Sequence, residues 1–373
     1  LEGGILRSLV IDLRQQSQKI IASGTIADNH IDSSLDYSLM RLDFRFLLFF
    51  ASILVPGFLE AQTSRVDTAY IRETPEKMIL RSYISRKYTE VNYGDQGVYE
   101  PNSGMNFGFG FTYQKFTLNL AFPFAFINPE RHKDWPMILD LQAHVYPQNW
   151  MFDLFGQFYN GYSIKDYYGP GEDYLRRDIR VVKLGLGAHY LFNGEKLSLE
   201  AAFHQSAIQK KSAFSPTVGF EVYRVRISGD SLIVPSNLPI AGNYQRADFY
   251  HVGPSAGMVG TLVLGKGFFL TGAASGNLGV GFSKADKDRD TNEIKLKPGY
   301  YLRGFAGYNG ERFALVGSYI HKQICLAEQQ DISHSANTGN YRIHLVYKIN
   351  PGPKFTRTYT KLNPLNILDR ILH

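Results

Sequence analysis

His204 and Ser206 stand two residues apart in the stretch FHQSA. In an extended strand a period of two turns both side chains to one face, where a histidine can activate a serine as a nucleophile. Ala201, Phe203, Gln205 and Ala207 make up the more apolar set, so His204 and Ser206 would share the other face with Glu200. The competing reading is a polar pair inside a fold that does no chemistry. The expectation adopted is no catalytic site and no enzyme, with His204 and Ser206 kept as the alternative.

The other chemistry-bearing residues are sparser. His321, His334 and His344 lie toward the C-terminal end, without the helical H-x-x-x-H spacing or carboxylate-rich loop that a metal site uses. DKDRDTNE, Asp286 to Glu293, alternates oxygen ligands as a calcium loop would. It lacks the central glycine and the terminal glutamate at the required spacing, and reads as a solvated loop. GNLGVG has glycines without a strand-to-helix setting and reads as strand. A single cysteine, Cys325, rules out a disulfide framework and a cysteine-based zinc cluster. The net charge of +6 is scattered rather than gathered into runs, which argues against nucleic acid as a partner. No cofactor and no metal are expected.

The elements that would carry these residues are strands. The 373 residues include 24 Tyr, 26 Phe and 35 Gly, a composition that favours extended structure. In GMNFGFGFTYQKFTLNLAFPFAF, Met105, Phe107, Phe109, Phe111 and Tyr113 alternate with small or polar residues, and the pattern restarts at Phe116 after Gln114 and Lys115. That is a hairpin of two long strands. Period-two segments recur near 79–92, 104–114, 115–126, 137–147, 149–162, 178–192, 195–209, 213–228, 248–264, 267–282, 298–309, 312–326 and 339–350. Short turns at 114–115, 147–149, 193–195, 265–267 and 309–311 alternate with long polar connections such as KDYYGPGEDYLRRD, SKADKDRDTNEIK and CLAEQQDISHSANTG. Strands of about ten residues, one face apolar and aromatic, joined by alternately short and long loops, make the expected fold an all-β antiparallel transmembrane β-barrel of about 12 to 14 strands. Closure requires an even number, and a short strand around Ser231 to Leu238 would bring thirteen segments to fourteen; merging two segments would give twelve.

The alternation also assigns faces, because only the lipid-facing set of a barrel must be apolar. In LDLQAHVYPQNW, Leu139, Leu141, Ala143 and Val145 face lipid, which turns Asp140, Gln142 and His144 into the lumen. In YRIHLVYKI, Arg342, His344 and Lys348 point inward. Lys183, Lys196, Glu200, Glu221 and Arg303 complete the lumen-facing polar candidates. Their mixed signs fit a salt-bridged interior as well as a pore.

Export is indicated by MRLDFRFLLFFASILVPGFLEAQ, Met40 to Gln62. Arg41 and Arg45 precede an apolar run from Phe46 to Leu59 that is too short to span a bilayer as a helix, and Ala61 offers a small residue for cleavage. The expected organisation is therefore a spurious upstream extension over 1–39, a signal peptide over 40–61, the barrel over 62–350 and a C-terminal tail over 351–373.

The blocks DTAYIRETPEKMILRSYISRKYT, YEPNSGMNFGFGFTYQKFTLNLAF, LDLQAHVYPQNWMFDLFGQFYNGY and QKKSA resemble the domain-of-unknown-function family 4421 of Bacteroidetes-type Gram-negative bacteria, regarded as outer-membrane barrel-like. The resemblance covers about Asp67 to Ile349 and implies location without chemistry. The tail, which continues past the last strand, departs from the terminal aromatic residue on which many such barrels end. The His204–Ser206 pair is similar to the H-x-S arrangement of outer-membrane phospholipase, though the Asn-Gly that follows it there is missing. The expectations are an outer-membrane monomer serving envelope transport or structure, in contact with outer-membrane lipid and the barrel-assembly machinery. The alternatives are a lipid-modifying barrel enzyme using His204 and Ser206, and a barrel subunit docking to other envelope proteins.

Overall fold

The structure is a computed structural model that describes residues 66–74, 76–94, 97–113, 116–123, 139–146, 149–235, 243–286, 295–329 and 332–362. The expected extension and signal peptide lie outside the described residues, as does the part of DKDRDTNE beyond Asp286.

Twelve strands form the bulk of the wall: β2 (Met78–Asn92), β4 (Met105–Tyr113), β5 (Phe116–Pro123), β6 (Leu139–Val145), β7 (Trp150–Gly169), β8 (Glu172–Leu191), β10 (Ala213–Ser228), β11 (Arg246–Gly265), β12 (Phe268–Ala285), β13 (Lys295–Asn309), β14 (Phe313–Gln329) and β15 (Ile332–Ile349). A short strand, β3 (Val98–Pro101), bridges β2 and β7. Among the described residues, β2, β15, β14, β13, β12, β11, β10, β8, β7 and β3 close a ten-strand antiparallel ring. β4 and β5 extend from β2, and β6 from β7, in the half below β3. The last strand closes on β2 through fifteen register pairs, from Ser335↔Asn92 to Ile349↔Met78. The all-β antiparallel barrel expected from the alternation is thus the observed architecture.

Exposure follows the period. On β12 large side chains such as Phe268, Leu270, Leu278, Val280 and Phe282 lie on the outer face, while Phe269 and Thr271 are buried. Phe109 is 57% exposed, Ile343 64% and Leu264 70%, so the outer face is an apolar belt. Inward-facing glycines make room for neighbouring rings: a Cβ on Gly108 would stand 2.2 Å from the Tyr83 ring, and one on Gly185 would stand 2.2 Å from Tyr223. The glycine-aromatic alternation of FGFGF is therefore a packing device in which large residues face out and a neighbour's aromatic lies across the empty inner side.

One expected strand is not a strand. Residues 195–209 form a helix, α1 (Leu199–Phe203), and a short strand, β9 (Ala207–Gln209), that pairs with β1 (Ile71–Glu73). Ser198 caps the helix, its Oγ accepting the Ala201 amide at 3.2 Å, and Gln205 leaves it with φ +56. Residues 231–235, expected as an added strand, are bends and irregular chain. The expected count of 12 to 14 is therefore not the closed count: among the described residues the ring closes with ten strands, the short β3 included, and β4, β5 and β6 are additional strands beside it. Two expected long loops are instead strand extensions, since β7 and β8 continue through KDYYGPGEDYLRRD, as β14 and β15 do on either side of the 330–331 connection. The tail carries an unexpected helix, α2 (Pro353–Leu362).

Candidate functional site in the barrel lumen

Small barrels fill their interiors with side chains, whereas sixteen or more strands leave an aqueous channel. At an intermediate girth, inserted segments can supply the missing volume. The lumen here is filled in three layers.

The middle layer is a set of charge ties between wall strands. Glu221 on β10 receives Lys322 Nζ from β14 at 2.7 Å and Asn277 Nδ2 from β12 at 2.5 Å, and its second oxygen lies 3.1 Å from His189 Nε2 on β8. Lys322 also sits 4.5 Å from the Tyr223 ring centroid and 4.6 Å from that of Tyr301, a cation between aromatic faces. Asp153 on β7 pairs with Arg303 on β13 and, at 2.6 Å, with His144 Nδ1 on β6. Lys183 Nζ donates to Thr338 Oγ1 across the lumen at 2.5 Å. Asp140 accepts from Lys87, Gln157 and Tyr159. Lys183, His189, Asp153 and Gln157 all have 0% exposure. Charges at that depth need compensation: Asp153 has Arg303 and His144, whereas Lys183 has the Thr338 hydroxyl and the faces of the Phe155 and Tyr223 rings.

The lower layer, on the side of the short turns, is α1 with β9 and β1. Asn309 Nδ2 donates to the Ala201 carbonyl at 3.0 Å and the Ala207 carbonyl at 2.9 Å, while its Oδ1 accepts Lys348 Nζ at 2.6 Å. Arg81 Nη2 donates to the His204 carbonyl at 2.8 Å, and His344 Nε2 lies 3.0 Å from Gln205 Oε1. Phe203 packs against Phe305 with the rings tilted and their centroids 4.0 Å apart. The upper layer is aromatic. Tyr93, Tyr99, Tyr162, Tyr244 and Phe249 pack with Ile233 and Val234, which reach in from the connection between β10 and β11. Arg176 donates to the carbonyls of Ser231, Leu232 and Ile233, and Tyr99 OH to that of Ile233 at 2.6 Å.

Against this geometry, Asp140, His144, Lys183, Glu221, Arg303, His344 and Lys348 sit in the lumen with the partners just given. Arg342 is half-buried, its guanidinium 4.5 Å from the Tyr83 ring. Gln142 is half-buried on β6. Lys196 and Glu200 are the corrections that follow from losing the strand over 195–209. Lys196 is exposed in the turn before α1, 5.5 Å from the Tyr70 ring, and Glu200 rides on α1. His204 and Ser206 do not share a strand face: His204 caps α1, and Ser206 Oγ donates to Glu200 Oε2 at 3.2 Å. His321, His334 and His344 are not brought together. His321 faces outward between Tyr88 and Tyr300, His334 packs edge-on to Tyr93 in the upper layer, and His344 lies in the lower one. The sequence reading missed Asp153, Lys322, Asn309 and Arg176. The inward phase of Asp153, Lys322 and Asn309 was readable from the alternation, but their partners, up to 150 positions away, were not, and Arg176 fell in an expected loop.

Among solved structures, the chain is similar to the outer membrane protease OmpT from Escherichia coli, with 10% identity, 78% of this chain and 100% of that one covered, and a TM-score of 0.33. It is similar to the translocator domain of the autotransporter NalP from Neisseria meningitidis at 7% identity, 84% and 98% coverage and a TM-score of 0.33. For the outer membrane protein OprG from Pseudomonas aeruginosa the figures are 12%, 76% and 99%, and 0.22. No curated protein matches the chain. The family described as Domain of unknown function (DUF4421) matches residues 65–349, from before β1 to the end of β15, and the chain belongs to that family.

Proposed function

We propose that the protein is an integral outer-membrane barrel with a closed lumen, serving the envelope as a structural or docking element rather than as an open pore. Membrane placement is supported by the outer apolar belt of exposed large side chains, since a soluble monomer rarely exposes contiguous apolar patches beyond a few hundred Å². The observation that carries the closed-lumen reading is the pair of cross-lumen ties, Glu221 with Lys322 and Asp153 with Arg303, bracketed by a polar plug below and an aromatic cap above. Opening a continuous water path would require these buried, hydrogen-bonded ion pairs to separate and the segments above and below them to be displaced.

The test is electrical. The purified chain, inserted in planar bilayers, is expected to give no steady conductance under moderate voltage. A sustained ohmic channel from the folded protein overturns the closed-lumen reading.

A further inference from the structure

The lipid-facing wall carries a groove of about 440 Å³ where β15, β2 and the β4–β5 hairpin meet. Its lining includes Leu80, Phe109, Phe111, Leu120, Leu345 and Tyr347. The register explains the hollow. Ser82 pairs with Leu345 on one side and Phe109 on the other, so a small outward residue lies between two large ones. The groove is near the short-turn end, since Leu80 and Phe111 sit close to the start of β2 and the end of β4.

Beside it lies α2, PKFTRTYTKL. Phe355 and Tyr359, four residues apart, form one face and pack on β4: the Phe355 ring is 5.6 Å from Tyr113 and 6.5 Å from Phe111, and Tyr359 OH donates to the Tyr113 carbonyl at 3.1 Å. Lys354 and Arg357 are exposed, Lys361 follows in sequence, and no acidic residue falls between Ile349 and Leu362. Phe111 belongs both to the groove and to the seat of the helix. With its aromatic face held on the barrel, the helix turns its basic residues outward, where anionic headgroups would meet them.

We infer that this corner binds one anionic phospholipid of the leaflet on the short-turn side, an acyl chain in the hollow over Ser82 and the phosphate against Lys354 and Arg357. The inference rests on the barrel's lying in a bilayer. Volume and lining suit a hydrocarbon chain, and charge complementarity selects the headgroup.

The full chain is inserted into mixed phosphatidylglycerol and phosphatidylcholine vesicles, extracted in mild detergent, and its retained lipid counted by native mass spectrometry. One phosphatidylglycerol per barrel is expected. Replacing Lys354→Ser together with Arg357→Ser lowers retention of phosphatidylglycerol relative to phosphatidylcholine by roughly thirtyfold, the effect of two surface cations. Ser82→Phe fills the hollow and abolishes retention of either lipid with both cations in place. A heat-dependent shift in gel mobility verifies that each variant is folded. Retention without headgroup preference, or retention unchanged in folded Ser82→Phe, overturns the inference while leaving the barrel reading intact. A chain that stays in the aqueous phase instead overturns the membrane placement, and the inference with it.

Discussion

The two segments that enter the lumen, 192–212 from below and, from above, the described residues 229–235 and 243–245, are held by the same device and filled by different means. In both, wall side chains donate to backbone carbonyls of the inserted chain: Asn309 and Arg81 below, Arg176 and Tyr99 above. The lower segment spends its backbone on a helix and a strand pairing, so few carbonyls remain; Asn309 reaches two of them and Arg81 a third. The upper one has little regular structure in its described residues and relies on an aromatic cluster around Ile233 and Val234, with Arg176 gathering three consecutive carbonyls. The difference teaches that irregular buried chain leaves consecutive carbonyls to be met by a wide guanidinium fork, whereas a small folded element leaves only the few at its ends, within reach of an amide.

Three perturbations would break or sharpen that contrast. Arg176→Ala has the largest effect, because it removes this donor from the Ser231 and Leu232 carbonyls, leaves Ile233 with Tyr99 alone and deprives Asp178 of its ion-pair partner; about 3 kcal/mol of stability is expected to be lost, with protease cleavage appearing in 229–245 and not in 192–212. Equal cleavage in both segments would show that the plugs open as one unit. Asn309→Ala frees the Ala201 and Ala207 carbonyls and removes an acceptor from Lys348. It is expected to cost about 2 kcal/mol and to give the reverse cleavage pattern. The smallest effect concerns the rim. Arg72 on β1 donates to Glu311 at 2.7 Å, and that hydrogen bond together with the arginine charge holds the Glu311 carboxyl below its usual range. A carboxylate lowered in the folded state stabilises above its unfolded pKa and loses that contribution as pH falls through the folded value. Cleavage in 192–212 should therefore rise slightly on acidification below the ordinary glutamate range, and Glu311→Gln should remove that pH dependence. An unchanged profile in Glu311→Gln would assign the sensitivity elsewhere.

Every segment expected from the alternation except 195–209 became a wall strand, because a wall with an apolar outer face and a packed inner one imposes a period of two on its sequence. The exception misled for a physical reason. Leu197, Leu199, Ala201 and Phe203 do alternate, but a plug is surrounded on every side, so its burial has no period of its own. The signal that identifies it is local: Ser198 ahead of Leu-Glu-Ala-Ala is an N-cap before strong helix formers. β3 escaped notice because four residues carry too little pattern to register. In the lumen, inward-facing phases were legible at Asp140, His144, Lys183, Glu221 and Arg303. Pairing was not, since Glu221 meets Lys322 only once the whole ring is bent shut.

The ladder that closes the ring joins Met78 and Asn92, near the beginning of the described chain, to Ile349 and Ser335, near its end. Its contacts are therefore among the most distant along the polypeptide, and their loop-closure entropy must be met before any of its fifteen pairs contributes. Until then β2 and β15 each present an unpaired edge, the kind of surface on which strands of other molecules add. Folding of this barrel is consequently committed late: a chain stopped before β15 has nearly all of its wall and no means of sealing it.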